Sequence, residues 1–198
     1  STPLYSSAAS DVYKRQDIIM VDKQLILFYL INGFGGLCVL GSYAHGLITN
    51  PSIRGGLWGA IPDSLKLYYT IFMFLAAGGY FFFTGYILIH VSTESVKLFG
   101  RYGFWAINML YAGIIIPSAI WIYLTFAMIE NPTTLLWIII RLVLFTVGFS
   151  SVALLASFFT SNFDRSSWLY FASIIGLIFF CIQTMLLDAL IWPYYYPK

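Results

Sequence analysis

The chain has 198 residues, of which 60% are hydrophobic, 20% aromatic and only 9% charged. Soluble domains carry roughly 25% charged residues, so this composition excludes an ordinary soluble domain. The formal net charge of +2 gives no broad basic surface, which excludes nucleic acid as a partner.

The first residues differ from the rest of the chain. Residues 1–19 contain no long apolar run, and residues 11–16 look like the translated end of a sequencing adaptor. We therefore expect residues 1–19 to be disordered and residues 1–16 to be a non-native scar. Residues 20–198 are assigned to a single membrane domain.

Five stretches of about 25 residues contain at most one charged residue each, and a membrane-spanning helix needs about 20 apolar residues. Barrel strands would alternate polar and apolar residues, which these stretches do not do. The sequence therefore predicts an all-α integral membrane protein, a five-transmembrane-helix bundle with spans at 25–49, 68–92, 104–129, 135–159 and 168–192.

The connections contain the usual helix-ending residues. Pro51 and Pro132 follow the first and third spans, and proline cannot continue a helix. Thr133 or Thr134 is expected to cap the fourth helix, and Ser166 or Ser167 the fifth. The first connection is the longest, and its glycines and prolines suit a cover over one end of the bundle.

Five spans place the two ends of the domain on opposite sides of the membrane. We call the side where the first helix begins face A and the other side face B. Lys and Arg residues number four at face A and three at face B, which favours a cytoplasmic N-terminus by the positive-inside rule. The sequence does not identify the membrane.

Small residues follow one side of the first helix. Gly35, Cys38, Ser42 and Gly46 recur at helical spacing, which permits close helix packing. Residues 76–79 of the second helix, Ala-Ala-Gly-Gly, are the expected complement.

Each helix contributes one polar residue to a layer near face B: His45, Thr70, Thr125, Arg141 and Asp188. An unpaired charge at the centre of a membrane costs about 2.5–3.5 kcal/mol on insertion scales. Arg141 and Asp188 lie at similar depth on consecutive helices, so we predict a structural ion pair between them. The layer as a whole is interpreted as that ion pair, as the polar floor of a ligand cavity, or as part of an ion pathway.

The residues that several known membrane-protein chemistries require are absent from the sequence. No span contains a lysine for a retinal Schiff base, and His45 and His90 lie near opposite faces, which excludes a bis-histidine haem. No metal-ligand spacing and no serine-nucleophile motif is present. We therefore predict a protein that is not an enzyme and has no metal site.

Two stretches resemble a known family. Residues 187–192, Leu-Asp-Ala-Leu-Ile-Trp, are similar to a Leu-Asn-x-x-Ile-Trp ending, and residues 121–126, Trp-Ile-Tyr-Leu-Thr-Phe, are similar to Trp-Ser-x-Leu-Phe-Phe. With five helices and a first connection containing Trp58 and Pro62, residues 25–192 resemble the TspO/translocator protein family, the tryptophan-rich sensory proteins. The resemblance implies binding of a flat hydrophobic ligand, either a sterol or a tetrapyrrole such as a porphyrin or haem.

The function predicted first is therefore non-enzymatic binding of a small hydrophobic ligand inside the bundle, in a cavity that opens towards face B. The alternatives are an accessory subunit of a larger membrane complex and a small transporter. The expected partners are the lipid bilayer, the ligand, and a second copy or other membrane subunits. Aromatic walls and a few polar groups suit such a ligand, and the predicted site residues are Tyr43, His45, Trp58, Tyr69, Trp121, Thr125 and Asp188.

Overall fold

The computed structural model describes residues 23–196, so the predictions for residues 1–19 concern a segment outside them. Five helices are long and apolar enough to cross a membrane, and the described part of the chain contains no strand. This confirms the all-α five-helix membrane bundle. The helices are α1 Lys23–Thr49, α2 Asp63–His90, α3 Phe104–Glu130, α4 Thr134–Thr160 and α5 Trp168–Tyr195.

The predicted helix caps are confirmed at two positions. The Thr133 hydroxyl accepts a hydrogen bond from the backbone N–H of Leu136, and the Ser167 hydroxyl accepts one from Leu169, each at 3.2 Å. These hydroxyls satisfy N–H groups that have no partner inside the first turn of a helix.

The second helix begins earlier than predicted, at Asp63 rather than at residue 68. Pro62 precedes it in an extended conformation, and the carboxylate of Asp63 lies in the first turn, where the helix dipole favours negative charge. Asp63 also pairs with Lys66 at 2.7 Å. The first connection therefore covers only residues 50–62.

The helices pack in the order α1, α3, α4, α5, α2, and α1 and α2 are not a closely packed pair. The small face of α1 packs on α3, because a Cβ built on Gly46 would lie 3.1 Å from the Phe126 ring. The expected complement in α2 is wrong. Gly79 of that segment instead meets Gly176 of α5, where an added Cβ would lie 2.6 Å from the opposing Cα.

The two halves of the bundle are filled differently. At face A the interior is closed by buried aromatic rings that pack edge to face or at a tilt, among them Phe28, Phe83, Tyr86, Tyr111 and Phe158. At face B a second apolar cluster surrounds Tyr69, Ile140 and Trp192. The two cavities described below are lined by residues of this half.

Two helices contain wider, π-helical segments. One is Leu30–Gly35 in α1, and the other is Ile182–Ile191, which forms most of the face-B half of α5. Such segments are rare and often occur at functional sites. The segment in α5 lines the cavities, and it determines which polar side chains point into them.

Candidate functional site

A cavity in the face-B half of the bundle is built by side chains from all five helices and from the first connection. It has an outer part of about 450 Å³ next to that connection and an inner part of about 400 Å³ deeper in the bundle. We call the two parts together the face-B cavity. They adjoin, because both are lined by Tyr43, Met73, Trp121, Leu144, Gln183 and Asp188.

The first connection covers the outer part. Its 3₁₀ turn, Arg54–Trp58, places Arg54, Leu57 and Trp58 on the cavity wall. The turn is fixed to the end of α5, since the indole N–H of Trp192 donates to the Leu57 carbonyl at 2.8 Å.

A second attachment follows in the same connection. The Ala60 N–H donates to the Tyr195 carbonyl at 2.9 Å, and Gly59 adopts a left-handed conformation with φ 56°. A side chain at Gly59 would meet the Tyr195 and Tyr196 backbone at 3.2 Å. Burial in this contact raises the pKa of Tyr196. The connection is thus a fixed cover over face B.

The inner part opens sideways. Its wall between α1 and α2 includes Leu40, which is 70% exposed, and Met73, which is 48% exposed, together with exposed Ala77. These side chains lie on the outer surface of the bundle and on the cavity at the same time. Because α1 and α2 are not closely packed, the cavity reaches the surface that faces lipid.

The polar end of the cavity is formed by Gln183 and Asp188. The Gln183 side-chain amide donates to an Asp188 carboxylate oxygen at 2.8 Å. Asp188 follows Gln183 by five positions, and on an α-helix two side chains at that spacing point about 140° apart. The π-helical segment aligns them, since its turns close between residues i and i+5.

Two buried polar atoms on the cavity lining have no hydrogen-bond partner among the described residues. One is the side-chain carbonyl oxygen of Gln183, a residue only 6% exposed, and the other is the indole N–H of Trp121. The Trp121 ring stacks on Tyr43 with centroids 5.9 Å apart and meets Trp192 edge-on at 5.8 Å. The residues that line the cavity therefore include one with an unpartnered acceptor, one with an unpartnered donor and one carboxylate, and apart from Arg54 and a few hydroxyls the walls are aromatic and aliphatic.

Five of the seven predicted site residues line the cavity: Tyr43, Trp58, Tyr69, Trp121 and Asp188. His45 and Thr125 do not. His45 is exposed beside Tyr123, 3.3 Å from its hydroxyl. Thr125 is fully buried, and its hydroxyl donates to the Trp121 carbonyl. Both lie at the predicted depth, but the rotation of their helices turns them away.

The predicted ion pair between Arg141 and Asp188 is wrong. The only salt bridge among residues 23–196 joins Lys66 and Asp63. Arg141 lines neither part of the cavity, and its guanidinium carbon lies 5.2 Å from the Phe145 ring centroid and 5.9 Å from that of Trp137. Aromatic faces attract a cation, so Arg141 has aromatic neighbours in place of a carboxylate, and its buried Nε–H has no hydrogen-bond partner among the described residues.

The other members of the predicted polar layer do not converge either. Thr70 is exposed, and its hydroxyl donates a hydrogen bond to the Lys66 carbonyl of its own helix. Among the five predicted members only Asp188 lines the cavity. A polar layer at one depth is thus not a polar site, because depth says nothing about the direction of a side chain.

Sequence reasoning missed several residues of the lining. Arg54 is the one cation on the wall of the outer part. It lies in a connection, where no helical pattern indicates which way a side chain points. Gln183 was visible as a rare polar residue in a span. Its partnership with Asp188 was hidden, because an α-helical period places Thr184 on the Asp188 side. Thr184 also lines the inner part, yet its hydroxyl bonds Ser151 at 2.7 Å.

Within residues 23–196 no group of three or more His, Cys, Asp or Glu side chains is placed to hold a metal ion. The chain matches no protein-family model, no curated protein and no solved structure. The function proposed below therefore rests on the geometry of the site.

Proposed function

We propose that this protein is a non-enzymatic membrane protein that binds a small, sterol-like hydrophobic ligand in the face-B cavity. The observation that carries the proposal is a two-part cavity with aromatic and aliphatic walls and a polar pair, Gln183 and Asp188. Ligand sites are commonly clefts of about 300–1,000 Å³ with apolar walls and few polar groups. The two parts of the cavity lie within that range.

The sideways opening supports a ligand that is dissolved in the bilayer. Leu40, Met73 and Ala77 offer an apolar path between α1 and α2 into the inner part. A hydrophobic molecule follows such a path without crossing water, and transfer between lipid and an apolar wall has little cost. The covered outer part then holds the end of the ligand that has passed Trp121.

The charges favour a sterol-like ligand over a tetrapyrrole, the other class implied by the TspO resemblance. Asp188 is an acid and offers no positive charge to the carboxylates that porphyrins carry, and His45, expected to meet such a group, lies outside the cavity. Arg54 is the only cation on the described lining. A tetrapyrrole therefore has one place for its acidic groups, at the outer end.

The experiment uses protein in phosphatidylcholine nanodiscs and the fluorescent sterol dehydroergosterol, with energy transfer from tryptophan as the signal. Ala77→Phe fills the opening of the inner part, whereas Ala44→Phe adds the same ring to an exposed position that does not line the cavity. We expect saturable energy transfer that is strongly weakened by Ala77→Phe and unchanged by Ala44→Phe.

Energy transfer that rises linearly with sterol concentration, or that both variants leave unchanged, contradicts the proposal. Protoporphyrin quenching of tryptophan fluorescence is measured in parallel. Saturable quenching by protoporphyrin without any sterol signal would move the ligand assignment to the tetrapyrrole class.

The accessory-subunit alternative is favoured by one observation. Gly33 and Gly41 of α1 are exposed and have nothing within 4 Å of an added Cβ, and α1 is the least buried of the five spans. Outward small residues permit another helix to approach closely. Gly33→Leu combined with Gly41→Leu tests this, since a loss of oligomers in crosslinking with sterol binding unchanged would assign α1 to an assembly contact.

A further inference from the structure

The two unpartnered atoms of the face-B cavity define the polar group that fits it. Buried polar groups in proteins are almost always hydrogen-bonded, and leaving one unpaired is destabilising. The Trp121 indole is a donor only, and the Gln183 side-chain oxygen is an acceptor only. Both belong to residues that line the outer and the inner part of the cavity.

The orientation of the Gln183 amide is fixed by Asp188. The nitrogen of Gln183 faces an Asp188 carboxylate oxygen at 2.8 Å, so the side-chain oxygen points elsewhere. Gln183 is the only hydrogen-bond partner that the described residues give the Asp188 side chain. The free acceptor is therefore a consequence of the π-helical segment, which brings these two residues together.

We propose that the ligand is an apolar alcohol whose hydroxyl lies at the Gln183–Asp188–Trp121 cluster. The hydroxyl donates to the Gln183 oxygen or to Asp188 and accepts from the Trp121 N–H. This inference rests on the proposed function and adds the chemical class of the ligand's polar end.

Other polar ends fit the cluster less well. A carboxylate has no hydrogen to donate, so the Gln183 oxygen stays unpaired. An ether or a ketone only accepts, so the Gln183 oxygen again stays unpaired. A hydroxyl is the smallest neutral group that satisfies both atoms.

The test compares two probes that share one C15 chain: farnesol and its methyl ether. Each competes with dehydroergosterol in the nanodisc assay. Since one buried hydrogen bond is worth about 0.5–1.5 kcal/mol, which is about 2- to 12-fold in affinity, we expect farnesol to compete about 3- to 10-fold better than the methyl ether.

Two nearly isosteric variants test whether Trp121 and Gln183 cause the preference for farnesol. Trp121→Phe removes the N–H and Gln183→Met removes the amide, and each keeps an apolar side chain of similar shape. We expect farnesol to lose its advantage over the methyl ether in both variants, while the methyl ether competes as in the unaltered protein. Thermal unfolding identifies a variant that does not fold, and the other variant then carries the test.

Equal competition by the two probes in the unaltered protein overturns this inference, as does an advantage of farnesol that both variants retain. In either case dehydroergosterol binding that Ala77→Phe still weakens leaves the proposed function standing. Sterol energy transfer that does not saturate contradicts the proposed function itself. The two failures are therefore distinguishable.

Discussion

The contact between α2 and α5 offers a sharp test of the packing. At Gly79 an added Cβ would lie 2.6 Å from both the Cα and the carbonyl oxygen of Gly176. These are backbone atoms, so no side-chain rotation relieves the overlap. Gly79→Ala must therefore push the two helices apart by about 1 Å near the middle of the bundle.

The magnitude follows from two opposing effects. Overpacking of a filled interior typically costs about 1–3 kcal/mol, whereas alanine gains up to about 1 kcal/mol over glycine in helix propensity. We expect Gly79→Ala to lower the free energy of unfolding by about 1–2 kcal/mol. Gly176→Ala should have a similar effect, because it adds a methyl group to the same contact from the other helix.

The neighbouring residue provides the control. Gly78 is exposed, and an added Cβ there has nothing within 4 Å, so Gly78→Ala should be neutral within about 0.5 kcal/mol or slightly stabilising. Unfolding is followed by circular dichroism in detergent micelles with increasing SDS. Equal midpoints for Gly79→Ala and Gly78→Ala would refute the placement of the α2–α5 contact.

Two further predictions concern the cavity region. Because Arg141 and Asp188 do not pair, a double-mutant cycle of Arg141→Met and Asp188→Asn should give a coupling below about 0.5 kcal/mol in SDS unfolding, whereas a larger coupling would restore the ion pair. Trp192→Phe removes the hydrogen bond to Leu57 and should cost about 0.5–1.5 kcal/mol. It should also speed tryptic cleavage of the first connection, while Trp168→Phe, at an exposed position, changes neither.

The sequence by itself determined the class of protein and the number of helices. A segment that crosses a membrane must be long, apolar and internally hydrogen-bonded, and those are properties of composition along the chain. The helix caps at Thr133 and Ser167 are equally local, since the hydroxyl and the N–H that it accepts from lie within three residues of each other.

The sequence also indicated the depth of the site. Tyr43, Trp121 and Asp188 were predicted at the face-B end, and the tertiary structure brings them to one cavity. Depth is available from the sequence because each helical residue advances the chain by about 1.5 Å. Binding of a ligand there stays a prediction.

Only the tertiary structure decided which residues face inward. His45, Thr125 and Arg141 lie at the right depth, yet the rotation of each helix directs them elsewhere. Their helices are apolar on all sides, since the outer surface faces lipid and the inner surface faces other helices, so no amphipathic pattern reports the rotation. Long-range contacts such as Gly46 of α1 with Phe126 of α3 set the rotation instead.

The local geometry of α5 was also decided by tertiary structure. A regular α-helical period separates Gln183 from Asp188, whereas the π-helical segment Ile182–Ile191 joins them in a hydrogen bond. A π-helix is intrinsically rare and has no dependable sequence pattern. Gly148 of α4 approaches the Met185 backbone within this segment, where an added Cβ would lie 3.1 Å away, and a close contact of that kind depends on how whole helices pack.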